Sequence, residues 1–184
     1  MGTEKGITPS GGTSQKLILG FDPGLAITGY GVLSIVAGKP RLVEAGVLRI
    51  SRAQTLEKRL FELHQGVIEI LDSHPITAVA IEQLYSHYER PRTAILMGHA
   101  RGVLCMTAAM RGLPVNSYAA TKVKKLLTGN GRAPKSQMQS AVALQLNLSE
   151  PPDPPDVADA IAVALCHYYE SRSIINRALQ RDKL

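Results

Sequence analysis

The order of apolar and polar positions along the chain predicts strands first and then a mixture ending in helices. Three strand candidates, Lys16 to Asp22, Gly29 to Val36 and Arg41 to Ile50, are separated by Gly and Pro signals that suit an antiparallel meander. From Thr55 to Ser73 the residues Leu56, Leu60, Leu63, Val67 and Leu71 recur at helical spacing and define one buried face. His74-Pro75 ends that helix, and Ile76 to Glu82 follows as a short, continuously apolar run of the kind found in parallel strands buried on both faces. Arg92 to Arg111 reads as a helix rich in small residues and Met, able to pack on more than one side. A strand around Pro114 to Tyr118, a short helix over Thr121 to Leu127 and a flexible Gly129-Asn130-Gly131 turn come next. The last helices are Lys135 to Leu146 and Asp156 to about Ser171, on either side of a Pro-rich hinge.

This pattern is one α/β domain over residues 15–172, preceded by a leader, 1–14, read as disordered, and followed by a basic C-terminal tail, 173–184. With 184 residues, 45% of them hydrophobic, the chain has enough apolar material for one sizeable core and is short for two. Cys105 and Cys166 lie in helix-like apolar segments without zinc spacing, so buried reduced thiols are expected. No stretch is read as approaching the roughly 18 apolar residues needed to cross a membrane, and no signal core is found. The expectation is a cytoplasmic protein with no membrane partner.

Charge changes the picture once it is mapped. The net charge is +6, but the segment from Gln83 to Ser149 carries nine basic residues, Arg90 through Lys135, against one acid, Glu89. That is an electrostatic footprint for a polyanion, although a solvated basic face has the same composition. The acids are placed differently. Asp22 closes the first apolar run, Glu82 closes the fourth, and Asp156 and Asp159 open the final helix at i, i+3 spacing, which puts both on one face. Carboxylates at the C-terminal ends of interior strands stand where open α/β sheets place their ligands, and ionised groups there need a partner or a metal. Hard oxygen donors converging from two strands and a helix suit Mg2+ or Mn2+. Other readings exist for two of them: Asp156 is well placed to cap a helix, and Asp-Pro-Gly is a good turn sequence around Asp22. For Glu82 the structural alternative is weaker, because Glu is poor in strands and gains nothing from an apolar run.

Taken in order, Phe21-Asp22-Pro23-Gly24 with Thr28-Gly29-Tyr30-Gly31, Ala80-Ile81-Glu82-Gln83, Ala100-Arg101-Gly102, Ser136-Gln137 after Lys135, and Asp156-Val157-Ala158-Asp159-Ala160 resemble the RuvC-type Holliday-junction resolvases. The resemblance runs from about Lys16 to Tyr169. It implies an RNase H-like fold with a mixed five-stranded sheet flanked by helices. It also implies a homodimer that resolves four-way DNA junctions in recombination and repair by symmetric nicking, with two Mg2+ ions, or Mn2+, per site, leaving 5′-phosphate and 3′-hydroxyl ends. Asp22, Glu82, Asp156 and Asp159 are then the catalytic metal ligands, and Tyr85 stands where the family has an aromatic near the junction crossover. Lys124 and Lys135 match basic positions beside the cleaved strand, with Lys122, Lys125 and Arg132 extending the patch; taken singly, each lysine reads as solvated surface. Branch-migration proteins of the RuvA and RuvB kind are the implied partners.

A competing class is visible in the same residues, since Gly20-Phe21-Asp22-Pro23-Gly24 followed by Thr28-Gly29 also resembles the first phosphate loop of actin-like sugar kinases and ATPases. Those enzymes need two lobes and a second phosphate loop, and no second Asp-x-Gly segment of that kind is found. A junction-binding protein without catalysis is the third class, and the presence of all four acids speaks against it.

Overall fold

The structure, a computed structural model, describes residues 16–84 and 91–181. The expected leader, Tyr85, Tyr88 and Arg90 lie outside the described residues. The elements run β1 (Lys16–Asp22), β2 (Ile27–Val36), β3 (Lys39–Arg49), α1 (Leu56–Ser73), β4 (Ala78–Glu82), α2 (Pro91–Met110), β5 (Val115–Tyr118), α3 (Ala120–Thr128), α4 (Lys135–Leu146) and α5 (Pro155–Arg181). One five-stranded sheet has the order β3-β2-β1-β4-β5. The first three strands form the expected antiparallel meander, and β4 and β5 add in parallel on the other side of β1.

Period-two alternation divides the strand side chains between two cores. Leu17, Leu19 and Phe21 of β1 and Val79 and Ile81 of β4 face α1 and α2, where Leu63, Val67, Ala100 and Leu104 complete the first cluster. Ile18 and Ala80 point the other way and meet Val157, Ile161 and Leu165 of α5. Between these sides β1 carries Gly20, and β2 carries Gly29. A Cβ at Gly20 would collide with the Ala160 carbonyl, and one at Gly29 with the Asp156 carbonyl. These two glycines let the first turns of α5 rest directly on the sheet, next to the ends of β1 and β4.

Three expectations need correction. The last helix does not stop near Ser171 but continues to Arg181. Ser171 does not break it, because its hydroxyl donates to the carbonyls of His167 and Tyr168 and so satisfies itself within the helix. The Gly129-Asn130-Gly131 turn, expected to be flexible, is pinned: Gly129 takes a left-handed conformation (φ 75°) and its N–H caps α3 on the Lys125 carbonyl, while Asn130 Oδ1 accepts the Arg132 N–H at 2.9 Å. One stretch, Arg92–Met110, is long and apolar enough by composition to cross a membrane. It is a packed helix here, with Ala100, Leu104 and Ala108 in the first core, but most of its surface is not buried. Cys105 and Cys166 are free thiols, the second fully buried.

Candidate active site

Parallel pairing sets Phe21 opposite Ile81, so the next residues, Asp22 and Glu82, end neighbouring strands side by side. On the antiparallel side Asp22 pairs with Gly29, the residue over which the Asp156 carbonyl lies. Asp156 and Asp159 therefore descend from the first turns of α5 onto the strand ends, where the helix N-terminus favours negative charge. The loop after Asp22 is held by its own bonds. The buried Thr28 hydroxyl donates to the Gly24 carbonyl, and an Arg59 nitrogen of α1 donates to the Leu25 carbonyl at 3.1 Å.

The electrostatics show how crowded these acids are. Burial, reinforced by the charges of Glu82, Asp159 and Asp156, pushes the Asp22 carboxyl up to about 8, with Lys135 opposing. Burial and Asp159 push Glu82 up to about 7, opposed by Lys124 and Lys135. Asp159 is also raised, chiefly by burial, while Lys135 and Lys124 pull it down and Asp156 adds to the rise. Lys135 Nζ stands 3.7 Å from Asp159 Oδ2. Among the described residues no three His, Cys, Asp or Glu side chains are drawn into a closed cage. A set of acid oxygens whose ionised forms repel is chemically suited to divalent hard cations, which would neutralise the repulsion and accept those oxygens as ligands.

Of the five basic residues singled out in the sequence, the fold brings two to the acids. Lys124 on α3 and Lys135 at the start of α4 both act on Glu82 and Asp159. Lys122 instead bonds Glu170 of α5 at 2.8 Å and lies over the Tyr118 ring. Lys125 and Arg132 are exposed on the same lobe. Sequence reasoning gave no role to Arg59 or Arg101. Arg101 extends from α2 to donate to the Ser117 hydroxyl at 2.7 Å, at the end of β5 and beside Gln83. Its Ala-Arg-Gly motif was the available signal. His167 of α5 bonds the Tyr118 hydroxyl at 2.8 Å.

These shifts carry a stability consequence. Asp22 and Glu82 bind protons more tightly folded than unfolded, so in metal-free protein their contribution falls as pH rises from about 4 to about 8. Glu44 has the opposite sign: hydrogen bonds from Tyr30 and His74 hold its carboxyl below the usual range, and its contribution is lost only in acid below the ordinary Glu value. Thermal unfolding in EDTA should therefore give a lower Tm at pH 8.5 than at pH 6. Millimolar Mg2+ should raise the Tm most at pH 8.5 and flatten the difference. A Tm that rises with pH in EDTA would remove the crowded-carboxylate reading.

Comparison with known proteins agrees with this layout. The family model described as crossover junction endodeoxyribonuclease RuvC matches residues 18–167. The chain is 55% identical over 166 residues to the crossover junction endodeoxyribonuclease RuvC of Rhodopirellula baltica, covering 90% of this chain and 93% of that one. It is 41% identical over 151 residues to the RuvC of Desulforamulus reducens, covering 82% and 92%. The structure of T. thermophilus RuvC in complex with Holliday junction substrate superposes with a TM-score of 0.77 at 30% identity, over 85% of this chain and 96% of that one. The yeast mitochondrial Holliday junction resolvase, at 11% identity and a TM-score of 0.63, shares the fold. The mixed five-stranded sheet is thus the RNase H-like one expected from the sequence. A family match reaching across both strand-end acids and the start of α5, with more than half of the residues shared with one relative, makes the chain a member of the RuvC family of crossover junction endodeoxyribonucleases.

Proposed function

We propose that the chain nicks four-way DNA junctions in two strands of like polarity, with Asp22, Glu82, Asp156 and Asp159 as the ligands of two Mg2+ ions, Mn2+ being an acceptable substitute. The observation that carries the reading is the side-by-side ending of β1 and β4 in Asp22 and Glu82, under the first turn of α5. When bound, the two cations supply activation of the attacking water and neutralisation of the leaving 3′-oxygen, which gives 5′-phosphate and 3′-hydroxyl ends. The protein's own part is to hold four oxygen donors on rigid elements, where burial and mutual repulsion raise Asp22, Glu82 and Asp159 and bound cations would favour the ionised forms. Lys124 and Lys135, close to Glu82 and Asp159, neutralise the scissile phosphate and its neighbours. Lys122, Lys125 and Arg132 continue the positive surface along the bound strand. Tyr85, three residues beyond Glu82, supplies a face on which an unstacked base can rest. Branch-migration proteins of the RuvA and RuvB kind deliver the junction, and the working unit is a homodimer.

The actin-like reading finds no second lobe among the described residues, which form one sheet. The decisive experiment is incubation of a labelled mobile junction with and without Mg2+, followed by mapping of the nicks. Paired nicks that need the cation are expected, and binding without cutting at any Mg2+ or Mn2+ concentration would favour a non-catalytic junction binder. In the same assay Lys124→Ala and Lys135→Ala should slow cleavage. Each should also flatten the dependence of log affinity on log salt by about one unit. Unchanged cleavage and slope in the double variant would return both lysines to ordinary surface.

A further inference from the structure

The end of the sheet opposite the carboxylates contains a second concavity that the nuclease reaction does not use. It is a cavity of about 540 Å3 between the start of β1, the β2–β3 turn, the start of β4 and the later turns of α5. Its floor is apolar, with Ile18, Ile35 and Ala78. Its rim carries Lys16 and Arg172, and among the described residues no acidic one lines it. The Arg172 guanidinium is already oriented: it donates to the Gly38 carbonyl at 3.2 Å and to the Tyr168 hydroxyl at 2.8 Å. Tyr168 is itself buried and donates to Gly38 at 2.6 Å, so the turn, the tyrosine and the arginine form one bonded unit. His167 lines another side, its ring anchored by Tyr118. Beyond Arg172, Lys39 and Arg41 line a neighbouring hollow and add to the positive potential.

The geometry points to a binding site for a small amphipathic anion, a molecule with a carboxylate or phosphate head and a compact apolar body. The volume suits a ligand of drug-like or metabolite size, and the lining combines an apolar floor with a few polar groups, as such sites do. A preoriented guanidinium favours a planar carboxylate or a phosphate over a neutral head. A cavity of similar size, about 490 Å3 beside α1, has Glu57 and Glu62 as well as Lys58 in its wall and shows no such preference.

The test uses the full chain and three probes: 4-phenylbutyrate, phenyl phosphate and the neutral 4-phenylbutan-1-ol, followed by two-dimensional amide NMR. Saturable shifts of the Gly38, Ala78 and Ser171 amides are expected with both anions, and binding of the alcohol should be about fivefold weaker or more. Lys16→Gln, at an exposed side chain, should weaken the anions about threefold or more and leave the alcohol unchanged. Ala78→Leu, which fills the floor, should abolish all three, and its amide spectrum reports whether the sheet is intact. Arg172→Lys should rescue more affinity than Arg172→Gln. No saturable shifts at millimolar anion, equal affinity for the alcohol, or shifts that appear instead at the carboxylate end of the sheet would each overturn the assignment.

Discussion

Replacing Glu82 by Gln should reduce junction cleavage by about 10²–10³-fold or more while leaving junction binding at wild-type strength or above. Glu82 is the best single test because it ends an otherwise apolar strand and gains nothing there except through its charge. The amide keeps the shape but gives up one anionic ligand. It also removes one member of the repelling set that raises Asp22. Metal-free Glu82→Gln protein should therefore be more stable than wild type at pH 8.5, and its stability should depend less on pH. That pairing separates a chemical defect from a folding defect, since a collapsed site would lose stability as well as activity. Retained or increased binding follows from less repulsion between carboxylates and DNA phosphates, with the basic surface unaltered. A Glu82→Gln enzyme that still cuts at near wild-type rate with Mg2+ would sink the metal-ligand assignment, and Asp22→Asn provides the independent repeat.

What the sequence made legible is mostly local. Leu17 to Phe21 and Ala78 to Ile81 are continuous apolar runs, and only interior strands bury such runs on both faces, so the two strand ends and their acids could be placed at once. The helix at Lys135–Leu146 was bounded by its own turn chemistry. The end of α5 was misjudged because apolar periodicity fades after Tyr169, although helical hydrogen bonding does not require it to continue. The residues around the site that came only with the fold are bound across long sequence separations. Arg59 reaches back to Leu25, Lys122 finds Glu170, and His167 finds Tyr118. No spacing rule encodes such pairs, and that is why one lysine of the Lys122, Lys124, Lys125 cluster is tied to a structural partner while its neighbour approaches the acids. The mutual approach of α5 and the sheet was present in the sequence as glycines at 20 and 29, but their meaning depends on what lies above them.

The second large effect is expected at Met106, where a glutamate should break the protein into monomers and end paired nicking. Ala100, Leu104 and Ala108 spend one face of α2 on the core. Ile95 and Met106, about three turns apart, lie on the opposite face and are 61% and 51% exposed; Met110, at 67%, extends the stripe. Gly98 and Gly102 fall on this same open face, and a Cβ at Gly102 would meet nothing within 4 Å. An apolar face with glycines at its centre lets a second helix approach closely, and a two-fold contact needs only that one patch meet itself. Resolution of a junction supplies the reason: two strands of like polarity must be cut symmetrically about the crossover, and one set of carboxylates cannot reach both. In such a dimer Met106→Glu would bury an unpaired charge from each protomer, a cost of several kcal/mol, enough to raise the dissociation constant 100-fold or more. The monomer fold should survive, because Met106 is half-exposed within it. Sedimentation at micromolar concentration should show a wild-type dimer and a folded Met106→Glu monomer that binds junctions weakly and nicks single strands at random. A folded variant that remains dimeric would move the interface to another face, and a wild-type monomer that nicks both strands in concert would end the dimer model itself.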